Sequence, residues 1–462
     1  MAVWSNVKKS ALTRDFRLDA EYYRPQFIEL DQKLVSLETV PWGSLEGRFI
    51  VGPFGSDFNT ENYVEDSPYR YIRGRDVKPF FLLDDDNAYI PKVHFEALSK
   101  YRLVYGDLLI SVVGTLGNCA LVTAEVGEAV FSCKSTAFRP SNKEADFPYY
   151  LVAYLNSHIG SSYLERMPRG AVQTGLNLDD LKAIPIFLPS ESAKKRIAGL
   201  VRAAEEKRQG SKRLLAEAEA KLVEALGVQK LDMSPKLHYS RKFCELQAAR
   251  RFGAEYFMPC KQQVLTALTI SRSRPLGAYY CSIRDLFDPK NAKRGQQVRN
   301  FNLTDAREPI LDDHVEPQAA IEIGSTKKIL QIGDVVISRL RSYLREIALV
   351  RTTPDVRAVG SSEFIVLRPR KDKQNGISPE TLLILLRSLP VQIILKWSQD
   401  GSQHPRFNEA DLLAIPVPDT VERIAPQVDT LVHEAMAARA EAASMLEKAK
   451  AEVERLVLSV AE

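Results

Sequence analysis

Cysteine is scarce in this chain: five are scattered through 462 residues, and no two stand at C-x-x-C spacing. An odd, dispersed set (Cys119, Cys133, Cys244, Cys260, Cys281) argues for reduced thiols rather than a disulfide framework. The six histidines are equally scattered, with no H-E-x-x-H pair, so no zinc site is expected. Long apolar runs are missing too. The longest aliphatic run, Leu382 to Leu386, is far too short to cross a bilayer. Met1 to Arg14 lacks the apolar centre of a secretory signal. Together these absences predict a soluble intracellular protein.

Motifs for catalysis are also lacking. There is no G-x-x-x-x-G-K-[ST] phosphate cradle and no G-x-S-x-G nucleophile elbow. Gly114-Thr115-Leu116-Gly117 resembles half of a glycine-rich loop but reads better as a tight turn. An amino-methyltransferase of the D/N-P-P-aromatic type needs a Pro-Pro turn, and none occurs; Asp66-Ser67-Pro68-Tyr69 reads as a surface turn. Pro354-Asp355 and Pro418-Asp419 are not followed by the acidic-x-Lys group of a metal-dependent nuclease.

What is present begins with helices. From Thr420 to Val460, apolar residues recur every third and fourth position, among them Val421, Ile424, Val428, Leu431, Ala435 and Met445, with Glu452 interrupting one site. Ala, Glu and Lys dominate, and no Gly or Pro follows Pro426, so one long helix with a narrow seam is expected. Glu191 to Leu226 carries a matching seam through Ile197, Val201, Ala204, Leu215, Ala218 and Leu222. Residues 191–240 hold 11 basic and 7 acidic side chains, whereas 419–462 hold 5 and 9. Opposite charge on two seams of similar length favours their pairing; the alternative is two helices packed separately on their own domains.

The chain is also written twice. Ala20-Glu21-Tyr22-Tyr23-Arg24-Pro25 returns as Ala254-Glu255-Tyr256-Phe257-Met258-Pro259. Gly106-Asp107-Leu108-Leu109-Ile110-Ser111 returns as Gly333-Asp334-Val335-Val336-Ile337-Ser338, and Arg139-Pro140 as Arg368-Pro369. Asp180-Leu181-Lys182-Ala183-Ile184-Pro185 returns as Asp411-Leu412-Leu413-Ala414-Ile415-Pro416. Four blocks in one order, the last of each set leading into a long helix, define globule, helix, globule, helix. The expected boundaries are 1–190, 191–226, a linker at 227–240, 241–418 and 419–462. Short β-rich runs, turn signals and helical segments at Pro148–Ser157 and Pro379–Leu389 predict α+β globules with a small antiparallel or mixed sheet.

Charge is uneven between the globules. Residues 1–190 carry 20 basic and 24 acidic side chains, and 241–418 carry 27 and 19. A basic second globule suits a polyanion. Its candidate contacts are Lys290, Lys293, Arg294 and Arg299, then Arg339, Arg341, Tyr343 and Arg345 after a strand, and Gln403, His404 and Arg406 in a later loop. In the first globule they are Ser56 in Gly52-Pro53-Phe54-Gly55-Ser56, Arg73, Arg75, Lys78, Thr115, Lys134, and Arg169, Gln173 and Thr174. Arginine can bind guanine edges bidentately, while lysine suits phosphates.

These ordered motifs resemble the specificity (S) subunit of type I restriction–modification systems. The resemblance rests on Asp19 to Pro25, Gly52 to Ser56, Gly106 to Ser111 with Gly114 to Gly117, and Asn177 to Pro185 with its copy Asn408 to Pro416. It covers nearly the whole chain. The second copy departs in lacking the Gly-Thr-Leu-Gly turn and in Met258 replacing Arg24. The resemblance implies two target-recognition domains joined by two long antiparallel coiled-coil helices. It implies a non-catalytic cytoplasmic prokaryotic DNA reader, each domain reading half of a bipartite site, with the helices setting the unread gap. The implied partners are double-stranded DNA, two modification subunits and, through them, restriction subunits. S-adenosylmethionine, ATP and Mg would sit on those partners, with no cofactor in this chain. Alternatives are a specificity-like subunit of another phage-defence modification system, a methyltransferase with an atypical motif, and a coiled-coil scaffold with no DNA role.

Overall fold

The computed structural model describes residues 4–9, 12, 17–35, 37–141, 145–168, 174–270, 272–370 and 376–460. It has an α+β fold in two units, Met1–Gln209 with Arg439–Glu462, and Gly210–Ala438. Among the described residues, no helix is long and apolar enough to cross a membrane.

Each unit is built on a five-stranded sheet of one topology. In the first unit the order is Gly47–Val51, Ser135–Pro140, Leu108–Ser111, Cys119–Leu121, Phe80–Phe81. In the second it is Tyr280–Ile283, Phe364–Pro369, Val335–Ser338, Ile347–Val350, Ile310–Leu311. Neighbours are antiparallel except the last pair, which is parallel in both. The Leu-Leu-Ile and Val-Val-Ile runs occupy the middle strand because that strand is covered on both faces. Leu108 and Ile110 face one apolar cluster and Leu109 another; Val335, Ile337 and Val336 divide likewise. The segments expected to be helical at 148–157 and 379–389 are helices at Phe147–Asn156 and Pro379–Arg387.

The shared blocks are joints of this frame. Asp107 is fully buried and receives Nε and Nη2 of Arg139 at 2.8 and 2.7 Å; Asp334 receives those of Arg368 at 2.7 and 2.8 Å. The Gly-Asp and Arg-Pro blocks are thus two halves of one bidentate pair. Asn177 and Asn408 cap short helices by accepting from the backbone N–H of Asp180 and Asp411. Ile184 and Ile415 accept from the N–H of Trp42 and Leu276, both at 2.8 Å.

The Ala-Glu-Tyr block places a tyrosine under two cations. Arg17 and Arg166 lie 4.4 and 4.0 Å from the Tyr22 ring, and Arg251 and Lys261 lie 4.5 and 3.4 Å from Tyr256. Arg17 and Arg251 also donate to the backbone after the following helices, at Met167 and Ser398. The second cation changes helix between copies: Arg166 ends the His158–Arg166 helix, whereas Lys261 begins the Pro259–Ile270 helix. At the exchanged positions stand Phe27 and Trp397, so cation and aromatic have traded places.

The long helices run Glu191–Leu226 and Asp419–Val460, the latter continuing through Pro426. In the first unit they pair antiparallel, Arg196 with Glu452 and Lys207 with Glu441, as their opposite charges require. Ile197 and Val201 meet Ala449, Val453 and Val457 in that unit's core. Leu222 meets Val421, Val428 and Val432 in the core of the second. Pairing and packing on the globules are therefore combined, and the helices are not segments separate from their domains. The seam's phase differs from the expected one. Ala425, Val432 and Val453 are buried, while Ile424, Leu431 and Met445 sit half-buried at its flank, as does Leu215. The buried residues keep the four-and-three spacing of an a/d line, and half-buried Ile424 and Leu431 widen it into a stripe that faces a globule as well as a helix. Glu452 consequently lies outside it and accepts from Arg196 and Arg455 rather than breaking it.

The expected linker is partly core. Val228 is fully buried, and Leu231, Met233 and Tyr239 pack on the second unit. Gly210 is helical, and a Cβ there would meet nothing within 4 Å. Gly210→Ala should stabilise the protein by about 0.5–1 kcal/mol, the difference in helix propensity, read as a rise in the urea midpoint.

Candidate nucleic-acid interface

In both units the variable loops collect where the middle strand leaves the sheet. In the first, Val112 donates to the carbonyl of Lys134, Ser132 to Ile72, and Gly52 to Ser135, at 2.9, 2.9 and 3.2 Å. Gly74 abuts the Lys134 side chain, and Val113 bridges to Gly175. These contacts bring Ser56, Lys78, Thr115, Lys134 and Thr174 onto one exposed rim. Phe54 in the same rim is 81% exposed, held in a turn where its N–H donates to Asp57 Oδ2. The exposed phenyl ring belongs to the Gly52 to Ser56 stretch that the sequence singles out.

Two first-unit arginines are engaged internally. Arg73 donates through Nε and Nη2 to both oxygens of buried Asp76, at 2.9 Å each, and that partnership raises its pKa despite burial. Arg75 pairs with Asp86. Arg169 and Gln173 lie outside the described residues.

The second unit gathers its candidates more tightly. Arg339 N–H donates to the carbonyl of Glu363 at 3.1 Å, matching the Val112–Lys134 bond. Lys134 and Glu363 thus occupy equivalent places with opposite charge. Glu363 accepts from Arg339 Nε at 2.8 Å and from Arg406 Nη2 and Nε at 2.9 and 3.1 Å. Those bonds, Arg406's first, hold its carboxyl down at about 2. Arg341 N–H donates to the Pro405 carbonyl, and its Nη2 lies 3.2 Å from His404 Nδ1. The 339–345 turn and the 400–407 loop therefore form one surface carrying Arg339, Arg341, Arg406 and His404, with Tyr343 and Arg345 exposed beside it. Gln403 is exposed on the same loop.

Lys290, Lys293 and Arg294 are exposed, on a turn leading into the strand Gln297–Phe301. Arg299 is not at the surface. It is 5% exposed, donates to the Val315 carbonyl at 2.8 Å and pairs with Asp313 at 2.6 Å. Its place inside the strand points it into the domain, which strand alternation leaves open when both faces are covered. The strand belongs to a second five-stranded sheet; in its place the described residues of the first unit form the two-stranded Arg70–Ile72 with Ala129–Phe131. Among the described residues, no group of acidic, His or Cys side chains could hold a metal ion.

No protein-family model matches the chain. Over 118 residues it is 28% identical to a curated sequence from Methanocaldococcus jannaschii named "Putative type I restriction enzyme MjaX specificity subunit". That match spans 25% of this chain and only 28% of the relative's length. Among solved structures, the S subunit of a type I restriction–modification system from M. genitalium aligns over 90% of this chain and 95% of its own, at 15% identity and a TM-score of 0.39. The HsdS subunit from Thermoanaerobacter tengcongensis aligns over 91% and 96%, at 15% identity and a TM-score of 0.27. The chain is thus similar to a sequence named as a type I restriction enzyme specificity subunit, the family that its ordered, duplicated motifs resemble.

Proposed function

We propose that this chain is a non-catalytic specificity subunit for DNA, in which each unit reads one half of a bipartite site. The observation that carries this reading is one sheet topology and one set of joints, used twice, with different chemistry at the same rim. The first rim offers Lys78, Lys134, Thr115 and an exposed Phe54; the second offers an arginine cluster around Glu363. A duplicated frame with unlike contact loops suits an asymmetric split sequence. The paired helices would set the gap and hold two modification subunits, which would supply S-adenosylmethionine and, with restriction subunits, ATP and Mg.

The test is co-expression with the cognate modification subunit and mapping of methylated adenines. A split motif with a fixed gap is expected. Arg406→Ala should relax one half of it, costing about 1–3 kcal/mol of discrimination, and leave the other half intact. Methylation without a split motif, or catalysis by the isolated chain, would refute the reading.

A further inference from the structure

The turn that follows the middle strand holds two left-handed residues in both units, but the second turn is one residue longer and its residues differ. In the first unit two of its positions, Gly114 and Gly117, have φ of +87° and +80°. In the second the positions that flank the corresponding turn are Arg341 and Arg345, with φ of +51° and +50°. Left-handed backbone suits glycine, because a Cβ crowds the carbonyl there. A long side chain is a poor choice for such a position, and here two stand four residues apart. Packing does not require them. Arg345 is exposed and Arg341 half-buried, its guanidinium directed to His404 rather than into the core. Between them Ser342 is buried, and Tyr343 is 58% exposed. The neighbouring Arg339 and Arg406 are both tied to Glu363, whereas Arg341 and Arg345 make no pair with it.

We propose that Arg341 and Arg345 are specificity-determining residues of the second unit, guanidinium forks for guanine edges kept at backbone positions that the first unit fills with glycine. This rests on the DNA-reading function proposed above. Strain at a site with no packing benefit marks a contact made elsewhere. It follows that the two halves differ in kind: arginine forks read the second half-site, whereas the first-unit turn presents mainly backbone and Thr115. Placing glycine at Arg341 and Arg345, as the first unit has it, should therefore separate stability from reading.

The experiment uses the full chain with its modification subunit, comparing the parent with R341G/R345G and with R341N/R345N, asparagine being the next most tolerant left-handed residue. Adenine methylation is mapped, and thermal melting is followed on the same complexes. Both variants should melt at or above the parent temperature. Both should lose about tenfold or more in preference at guanine positions of one half-site, with the other half unchanged. Well-folded variants that keep both halves intact would overturn the proposal. So would a lowered melting temperature in both variants, since the arginines would then be structural. If the parent itself yields no split motif, the underlying function fails instead, and this inference with it.

Discussion

Asp334→Ala should destabilise the protein by about 3–5 kcal/mol, seen as a large fall in the urea midpoint. The residue is fully buried, and its carboxylate meets Arg368 through two hydrogen bonds while also accepting from the N–H of Gln331 at 2.7 Å. Removing it strands a guanidinium between two strands of the central sheet, and leaving one partner of such a pair unmatched costs this much. Asp107→Ala should behave alike, because Asp107 binds Arg139 and accepts from Val104 N–H at 2.9 Å. Replacing pair members together, as in Asp334→Leu with Arg368→Met, should recover much of the loss, since the penalty lies in the orphaned charge. A loss below about 1 kcal/mol for both single variants would mean that these joints do not hold the frame.

The second large effect is one of pH. Lys261 is 3% exposed, and burial pushes its ammonium down to about 8, although it faces the Tyr256 ring and donates to the carbonyls of Tyr256 and Trp397 at 3.2 and 3.3 Å. Asp411 and Asp400 partly oppose that shift and Arg251 adds to it. In the unfolded chain a lysine titrates near 10.4, so between about pH 8 and 10.5 the unfolded state binds more protons. Stability should therefore be flat below pH 8 and rise through that window, by as much as ~3 kcal/mol at 1.36 kcal/mol per unit. Buried tyrosines act in the opposite direction above pH 10, because desolvation raises the pKa of Tyr149, Tyr163 and Tyr280 rather than lowering it. The clean readout is the difference between parent and Lys261→Met across pH 7 to 10.5. A difference independent of pH would show that the buried ammonium carries no penalty.

The architecture was largely legible because duplication filters noise. The blocks at 20–25, 106–111, 139–140 and 180–185 recur in order, and each proves to be a joint: a cation-flanked tyrosine, a buried Asp–Arg pair, a capped turn. Their partnerships were less legible. Nothing local links Asp107 to Arg139, and the trade of Phe27 and Arg166 for Lys261 and Trp397 involves helices more than a hundred residues apart. Heptad reading found both helices but set their phase by a helix partner alone, placing Ile424 and Leu431 where Ala425 and Val432 belong. Arginine reading overcounted for a similar reason. Arg73 and Arg299 look like surface charge until Asp76 and Asp313 are placed beside them. Left-handed backbone at Arg341 and Arg345 has no signature in sequence except its alignment with two glycines.

One unit is interrupted in the chain and the other is not. Residues Gly210–Ala438 are contiguous, whereas Met1–Gln209 needs Ala449, Val453 and Val457 from the last helix to fill its core. Translation therefore delivers every residue of the later unit before the earlier one can close. The N-terminal half leaves the ribosome first, yet it must wait with an open apolar groove until the final turns emerge.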